Sequence, residues 1–341
     1  MSVHSPASGR GTRVSAPVPA PNGQTWRGAP FLAASGLIFG WPPILIRFLA
    51  PHFGPVTQSF YRYLAAGAFL LAFGALTGHE WRLPRGGLRV LALPISILFV
   101  HQLCFMWGTY LVPAVTAALI AKTNVLFTAG LAYALLREER AVLRHPMFWA
   151  GAGLAVAGVL GVTEGNAEAA TRTNPIGVGL LLLAALSWSL YAVLVKRVVG
   201  VVSPFALAAW APLLACALFL PLALLPRSHP IAGHFGEVWS APLWASTLLL
   251  TAGVVVIGIG NGCYYYAIRA LGPSICSTVM LVTPLVTASF APLVLHETLT
   301  LRQMAFGTLL LFGCFMLTRL GVRAAISGAR ASVQEGAAGK I

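Results

Sequence analysis

Apolar runs as long as a membrane is thick recur along the whole chain. About twenty helical residues cross the ~30 Å hydrocarbon core of a bilayer. Ten such runs can be marked: residues 30–49, 55–77, 88–110, 113–136, 147–163, 175–195, 204–225, 242–266, 273–295 and 303–320. They are continuous rather than alternating, which excludes a transmembrane β-barrel. Composition agrees: only 9% of the 341 residues are charged, against roughly 25% in a soluble domain. So few charges cannot solvate a soluble surface of this size, which excludes a water-soluble enzyme. With 58% hydrophobic residues, a disordered chain is excluded too. The expected fold is an all-α integral membrane bundle of ten transmembrane helices with mostly short connections.

The charge balance is basic, with 22 Lys and Arg against 8 Glu and no Asp. In a soluble domain this would suggest nucleic acid. Here the charges stand singly between spans, so they report topology, and the expected partner is the lipid bilayer rather than nucleic acid. With a cytoplasmic N-terminus, sixteen basic residues fall on cytoplasmic segments, among them Arg82, Arg137, Arg197, Arg269 and Arg323. Three, Arg172, Arg227 and Arg302, fall on the opposite side, and Arg47, Arg62 and Lys122 lie within or at the edges of spans. Both termini are therefore read as cytoplasmic. Residues 1–29, rich in Pro, Ser, Ala and Gly, read as a disordered cytoplasmic tail, 164–174 as an extracytoplasmic linker and 321–341 as a second cytoplasmic tail. The preference for Arg over Lys points to a bacterial cytoplasmic membrane.

The chain also repeats itself. A shift of 149 places Phe39 on Trp188, Arg47 on Lys196, Pro55 on Pro204 and Ala66 on Ala215. A shift of 159 places Leu126 on Leu285, Thr128 on Thr287, Ala132 on Ala291 and Glu138 on Glu297. The two repeats cover 30–163 and 175–320, with five spans each. Because five is odd, the second must enter the membrane upside down. Inverted repeats place a binding site near the midplane, at the interface of the halves, and let it open to either side in turn.

These features resemble the drug/metabolite transporter superfamily, in particular its ten-helix proteins with two EamA-type domains. The similarity covers about residues 30–320. It rests on an aromatic eight residues before a base in each half (Phe39 to Arg47, Trp188 to Lys196) and on Pro55…Arg62 opening the second helix. It rests also on the paired endings LFTAGLAYALLREER and PLVTASFAPLVLHETLT. One departure is visible: the proline of the fourth helix is present as Pro284 but replaced by Val125 in the first half. The resemblance implies secondary transport of small organic solutes, often export.

Among single residues, Lys122 is the most informative. It lies about three residues from the middle of its span, roughly 5 Å from the midplane. A charged lysine there costs about 3 kcal/mol on insertion scales. Either it serves an anionic substrate group or a proton-transfer step, or it reaches a polar cavity for structural reasons. Asn124 is close by, on a different face. Arg62, roughly 10 Å inside the second span, either snorkels outward or meets substrate. His101, followed by Gln102, is near the middle of the third span. Histidine ordinarily titrates near neutrality, so it is either a proton relay or substrate ligand, or a neutral ring bonded to a neighbouring helix. No carboxylate lies near the middle of any span, so a carboxylate-based cation relay and strongly cationic substrates are disfavoured.

Trp41 precedes Pro42-Pro43 in mid-span, where the helix should kink. The prolines are candidate hinge residues, and Trp41 a candidate substrate contact. Trp188, Tyr191, Asn261 and Tyr265, with Trp107 and Tyr264, are candidates for an aromatic, hydrogen-bonding pocket. Gly153, Ala157 and Gly161 form a small-residue stripe suited to close helix packing. The five cysteines lie in apolar runs without a C-x-x-C pair, and no metal site or cofactor is expected. The Walker-type phosphate loop and the familiar hydrolase and metalloprotease motifs are absent too. The expected function is secondary transport of small organic metabolites, amino acids or other carboxylate-bearing solutes among them, with export favoured. The alternative is an intramembrane enzyme or a sensor without transport activity.

Overall fold

The first span breaks where its prolines stand. In the computed structural model, residues 25–135, 145–163, 174–199, 201–223, 225, 234–271, 276 and 279–338 are described. α1 (Thr25–Ile38) ends in a turn at residues 39–41, and α2 (Pro42–Leu49) starts afresh. Pro42 and Pro43 cannot donate to the preceding turn, but they suit the first turn of a new helix. The Gly40 carbonyl, left between the two helices, accepts a 2.6 Å hydrogen bond from Thr287 Oγ1. Only glycine fits at residue 40, because a Cβ there would lie 2.4 Å from Val286 Cβ.

The rest of the first half comprises α3 (Pro55–Thr77), α4 (Gly87–Leu111), α5 (Ala114–Ala121), α6 (Asn124–Leu135) and α7 (Pro146–Thr163). The second half comprises α8 (Pro175–Val198), α9 (Pro204–Ala223), a single turn α10 (Glu237–Ser240) and α11 (Leu243–Ala252). A π-helical segment (Gly253–Gly260), α12 (Asn261–Leu271), a 3₁₀ turn (Met280–Val282), α13 (Thr283–Leu295) and α14 (Leu301–Ala338) follow. No strand occurs among the described residues. Prolines open α3, α8 and α9, and the Asn174 side chain caps α8 by accepting from the Ile176 N–H at 2.9 Å.

Among the described residues, seven stretches are long and apolar enough to cross a membrane: Gly28–Leu49, Pro55–Thr77, Gly87–Leu111, Pro175–Val195, Pro204–Leu222, Leu243–Leu271 and Leu301–Arg319. Three shorter apolar helices, Ala114–Thr128, Pro146–Val162 and Met280–Leu295, fall where the remaining spans were expected. The protein is thus an all-helical membrane protein. α14 continues as helix past its span to Ala338. The N-terminal tail as far as residue 24 and most of the 164–174 linker lie outside the described residues.

Among the described residues two large apolar cores form, beside a smaller cluster around Leu49, Phe53 and Leu249. One joins α3, α4, α8, α9 and α12 through side chains such as Tyr63, Leu91, Leu207 and Phe219. The other joins α2, α5, α7 and α14 through Ile44, Ile120, Ala155 and Leu310. Phe69, Leu93, Val156 and Phe312 remain exposed on the outside, as a lipid-facing surface requires.

The expected small-residue stripe needs correcting. Gly153 and Ala157 are exposed, and nothing lies near a Cβ added at residue 153. The buried face of α7 carries Gly151, Ala155, Gly158 and Val162 instead. Of the expected three, only Gly161 packs closely, against the Phe306 ring. A Cβ at residue 158 would lie 2.6 Å from the Leu310 backbone N, and one at residue 313 would lie 2.6 Å from the Gly151 carbonyl oxygen. Gly158→Ala should therefore cost about 1–3 kcal/mol by overpacking. Gly153→Ala should be neutral or gain up to ~1 kcal/mol of helix propensity. Melting temperatures of the two variants in detergent check the assignment, and equal values would refute it.

Candidate functional site

Where the two cores meet, the helices leave a cavity of about 180 Å³. α3 brings Arg62 and Tyr63 to it, α4 His101, Gln102 and Phe105, and the α5–α6 break Lys122 and Asn124. Pro42 and Pro43 line it at the α1–α2 break, Trp188 from α8, and Asn261 and Tyr264 from α12. Among the described residues that line it there is no carboxylate.

The fourth span is broken without a proline. α5 ends at Ala121, Lys122 and Thr123 form a turn, and α6 starts at Asn124. Thr123 Oγ1 donates to the Ile120 carbonyl at 2.8 Å, and the Lys122 carbonyl accepts from Cys314 Sγ at 3.4 Å. The break carries Lys122 to the cavity. Its ammonium has no hydrogen-bond or ion-pair partner among the described residues. The carbonyl end of α5 offsets about 0.3–1 kcal/mol of the charge's cost, less than the ~3 kcal/mol of placing it near the midplane.

Arg62 is 2% exposed. One terminal nitrogen lies 4.0 Å from Met106 Sδ, and Nε has no hydrogen-bond partner. Its helix is held by close approach to the start of the π segment, where a Cβ at residue 253 would lie 2.4 Å from the Arg62 carbonyl oxygen. A π-helix re-aims the residues after it and recurs at functional sites. Here it is followed directly by Asn261.

His101 Nδ1 donates to the Ala184 carbonyl oxygen at 2.9 Å. Because a carbonyl only accepts, Nδ1 carries the proton of the neutral ring, and Nε2 is left as an acceptor. The imidazole stacks on Phe105, with ring centres 5.7 Å apart, and leans on Trp188 at 4.9 Å. Tyr63 donates to Gln102 Oε1 at 3.2 Å. Asn124 Oδ1 is buried without a partner.

Of the sequence candidates, Lys122, His101, Asn124, Arg62, Trp188, Asn261, Pro42 and Pro43 come together around this cavity. Four do not line it. Trp41, in the turn between α1 and α2 rather than on a helix, packs on Phe290 at 4.9 Å. Tyr191 and Tyr265 stand behind the aromatic wall, where their hydroxyls hydrogen-bond to each other at 2.6 Å. Trp107 is absent from the lining as well. Sequence reasoning missed Phe105, Thr283 and Tyr63. Phe105 lies one helical turn from His101. Thr283 is the residue that the shift of 159 aligns with Asn124. Tyr63 had no signal of its own.

One end of the bundle is closed by polar contacts. Arg47 Nε lies 3.8 Å from Glu297 Oε1, and both Glu297 oxygens accept from the Ala114 N–H at 3.0 Å, capping α5. Glu237 likewise accepts from the Gly54 N–H at 2.8 Å, ahead of α3.

Comparison with known proteins places this architecture. The chain is similar to an uncharacterized transporter of Archaeoglobus fulgidus, 26% identical over 297 residues that cover 84% of this chain and 96% of that one. It is similar also to the uncharacterized inner membrane transporter YedA of Escherichia coli strain K12, 27% identical over 285 residues, 82% and 86% of the two chains. One solved crystal structure shares the fold with a TM-score of 0.61 at 19% identity, covering 87% of this chain and 98% of its own. The EamA-like transporter family matches twice, over residues 26–163 and again over 175–319, and the chain belongs to that family.

Proposed function

We propose that the protein is a secondary transporter that moves a small carboxylate-bearing solute through the central cavity by alternating access, in ten spans with both termini cytoplasmic. The observation that carries this reading is the pair of cations, Arg62 and Lys122, lining a cavity that has no carboxylate among the described residues. Binding an anion there relieves charge that the protein leaves uncompensated at membrane depth. Export is the direction that the family resemblance implies.

Inverted five-helix halves are supported by the way corresponding elements exchange partners. α4 packs along α8 in one half-to-half contact, and α12 along α1 in its counterpart. α3 packs on α9, and α7 on α14, each pairing with its own equivalent. The polar contacts follow the same rule. Thr287 binds the carbonyl of Gly40, and Ser189, 149 positions after Gly40, binds the carbonyl of Asn124 at 2.7 Å. Phe39 and Trp188, equivalent by the same shift, both line the cavity, as do Asn124 and Thr283. The breaks at residues 39–41, 122–123 and 280–282 supply local hinges, Pro42 and Pro43 fixing the first.

Flux in proteoliposomes tests the reading. Saturable movement of an amino or organic acid, absent from protein-free vesicles, is the expected result. Chemical conversion without flux would replace it with the intramembrane enzyme.

A further inference from the structure

Resting on that reading of the cavity, we infer that its substrate is a dianion with two separate carboxylates, one held by Arg62 and one by Lys122. The two cations reach the cavity from the same end of the bundle. α3 and α5 both start at the end closed by Glu237 and Glu297, since Glu237 accepts from the Gly54 N–H just ahead of α3 and Glu297 from the first N–H of α5. Arg62 is seven residues into α3, and Lys122 follows the eighth residue of α5. At 1.5 Å per residue these depths are roughly 10 and 12 Å, so the two residues leave their helices at one level.

Their settings are independent. The Arg62 guanidinium lies beside Met106 and its backbone against Gly253, whereas Lys122 sits in the turn between α5 and α6, its carbonyl bonded by Cys314. Neither has a carboxylate partner among the described residues, and none lines the cavity. A monoanion would leave one cation of the cavity unpaired, and a dianion pairs both. Two cations on different helices with different neighbours suit two anionic groups spaced along a carbon chain better than one compact doubly charged group. The remaining polar atoms fit such a solute. Asn124 Oδ1, buried and unpartnered, and His101 Nε2 are acceptors, available to a hydroxyl or ammonium on the chain between the carboxylates. The rings of Phe105, Trp188 and Tyr264 provide apolar walls for its methylene groups.

The test measures thermal stabilisation of the full-length protein in detergent at pH 7.5. The probes are α,ω-dicarboxylates of three to six carbons, their monomethyl esters and glycerol 3-phosphate. At least one diacid should stabilise at a concentration about tenfold or more below that of its monoester. Arg62→Gln should erase that preference and leave diacid and monoester equal. Arg62→Lys, which keeps the charge, should retain it and serves if the Gln variant does not fold. Equal stabilisation by diacids and monoesters would overturn the dianion assignment while leaving a carboxylate transporter standing. Stabilisation by glycerol 3-phosphate alone would replace the dicarboxylate with a phosphate monoester. Stabilisation by none of the probes would overturn both this assignment and the broader reading.

Discussion

Lys122→Met should abolish transport without unfolding the protein, and should leave its melting temperature equal to or above that of the parent. A methionine keeps most of the side-chain length and removes the charge. In the folded protein the ammonium has no partner among the described residues. Its removal breaks no internal ion pair and lifts part of the ~3 kcal/mol that a charge near the midplane costs. A lysine kept for structural reasons would behave in the opposite way, because deleting one partner of a buried polar contact destabilises by about 1–3 kcal/mol. Under the proposed function, the loss is that of a charge-assisted hydrogen bond from Lys122 to the substrate. At up to ~3 kcal/mol, it corresponds to about a 100-fold loss of affinity. Saturable flux and ligand-induced stabilisation, measured beside the unliganded melting temperature, separate the two cases. A folded Met variant that transports like the parent would reduce Lys122 to packing.

Lys122 also shows how far the sequence could be read. Its charge and its position in an apolar run announced a polar interior, because no other solution is affordable in lipid. Arg62 and His101 stood out by depth too, but the sequence left Arg62 open between snorkelling and substrate, and His101 between a relay or ligand and a neutral ring bonded to a neighbouring helix. The Pro42-Pro43 break was written in residues that cannot donate backbone hydrogen bonds. What stayed hidden depended on tertiary contacts. The fourth span breaks at Lys122 although Val125 stands where its counterpart has Pro284. Thr123, a locally bonded hydroxyl residue, terminates the helix there, and nothing in the apolar pattern marks it. Helical phase was the second obstacle. Extrapolating a uniform turn per residue through breaks and a π segment misplaces side chains. Trp41, in the turn between α1 and α2, faces Phe290 in this way. Tyr191 and Tyr265 stand behind the cavity wall because their hydroxyls bond across α8 and α12, a tertiary contact that the apolar pattern does not mark. In α7 the eye found one small-residue spacing, but the helix buries another, because only contact with α14 decides which face turns inward.

The second large effect is expected at Gly253, a residue that does not line the cavity. It opens the π segment and lies directly against α3. A Cβ there would stand 2.4 Å from the Arg62 carbonyl oxygen and 2.7 Å from its Cα. These are backbone atoms, so no side-chain rotation relieves the contact, and one of the two spans must move. Gly253→Val adds two further methyl groups to that overlap and should cost about 3 kcal/mol, the upper end of ordinary overpacking. The displaced element carries Arg62, or else shifts the π turn that precedes Asn261, so substrate affinity should fall along with stability. Gly258→Ala is the matched control, in the same segment and also facing α3. Its Cβ would lie 3.7 Å from Ala66, an ordinary van der Waals distance, and its melting temperature should stay near that of the parent. Measured together in detergent with and without ligand, the pair distinguishes close approach at Arg62 from a general intolerance of the π segment. If Gly258→Ala destabilises as much as Gly253→Val, the segment needs glycine for its own backbone, and the contact with Arg62 does not set the geometry of the site.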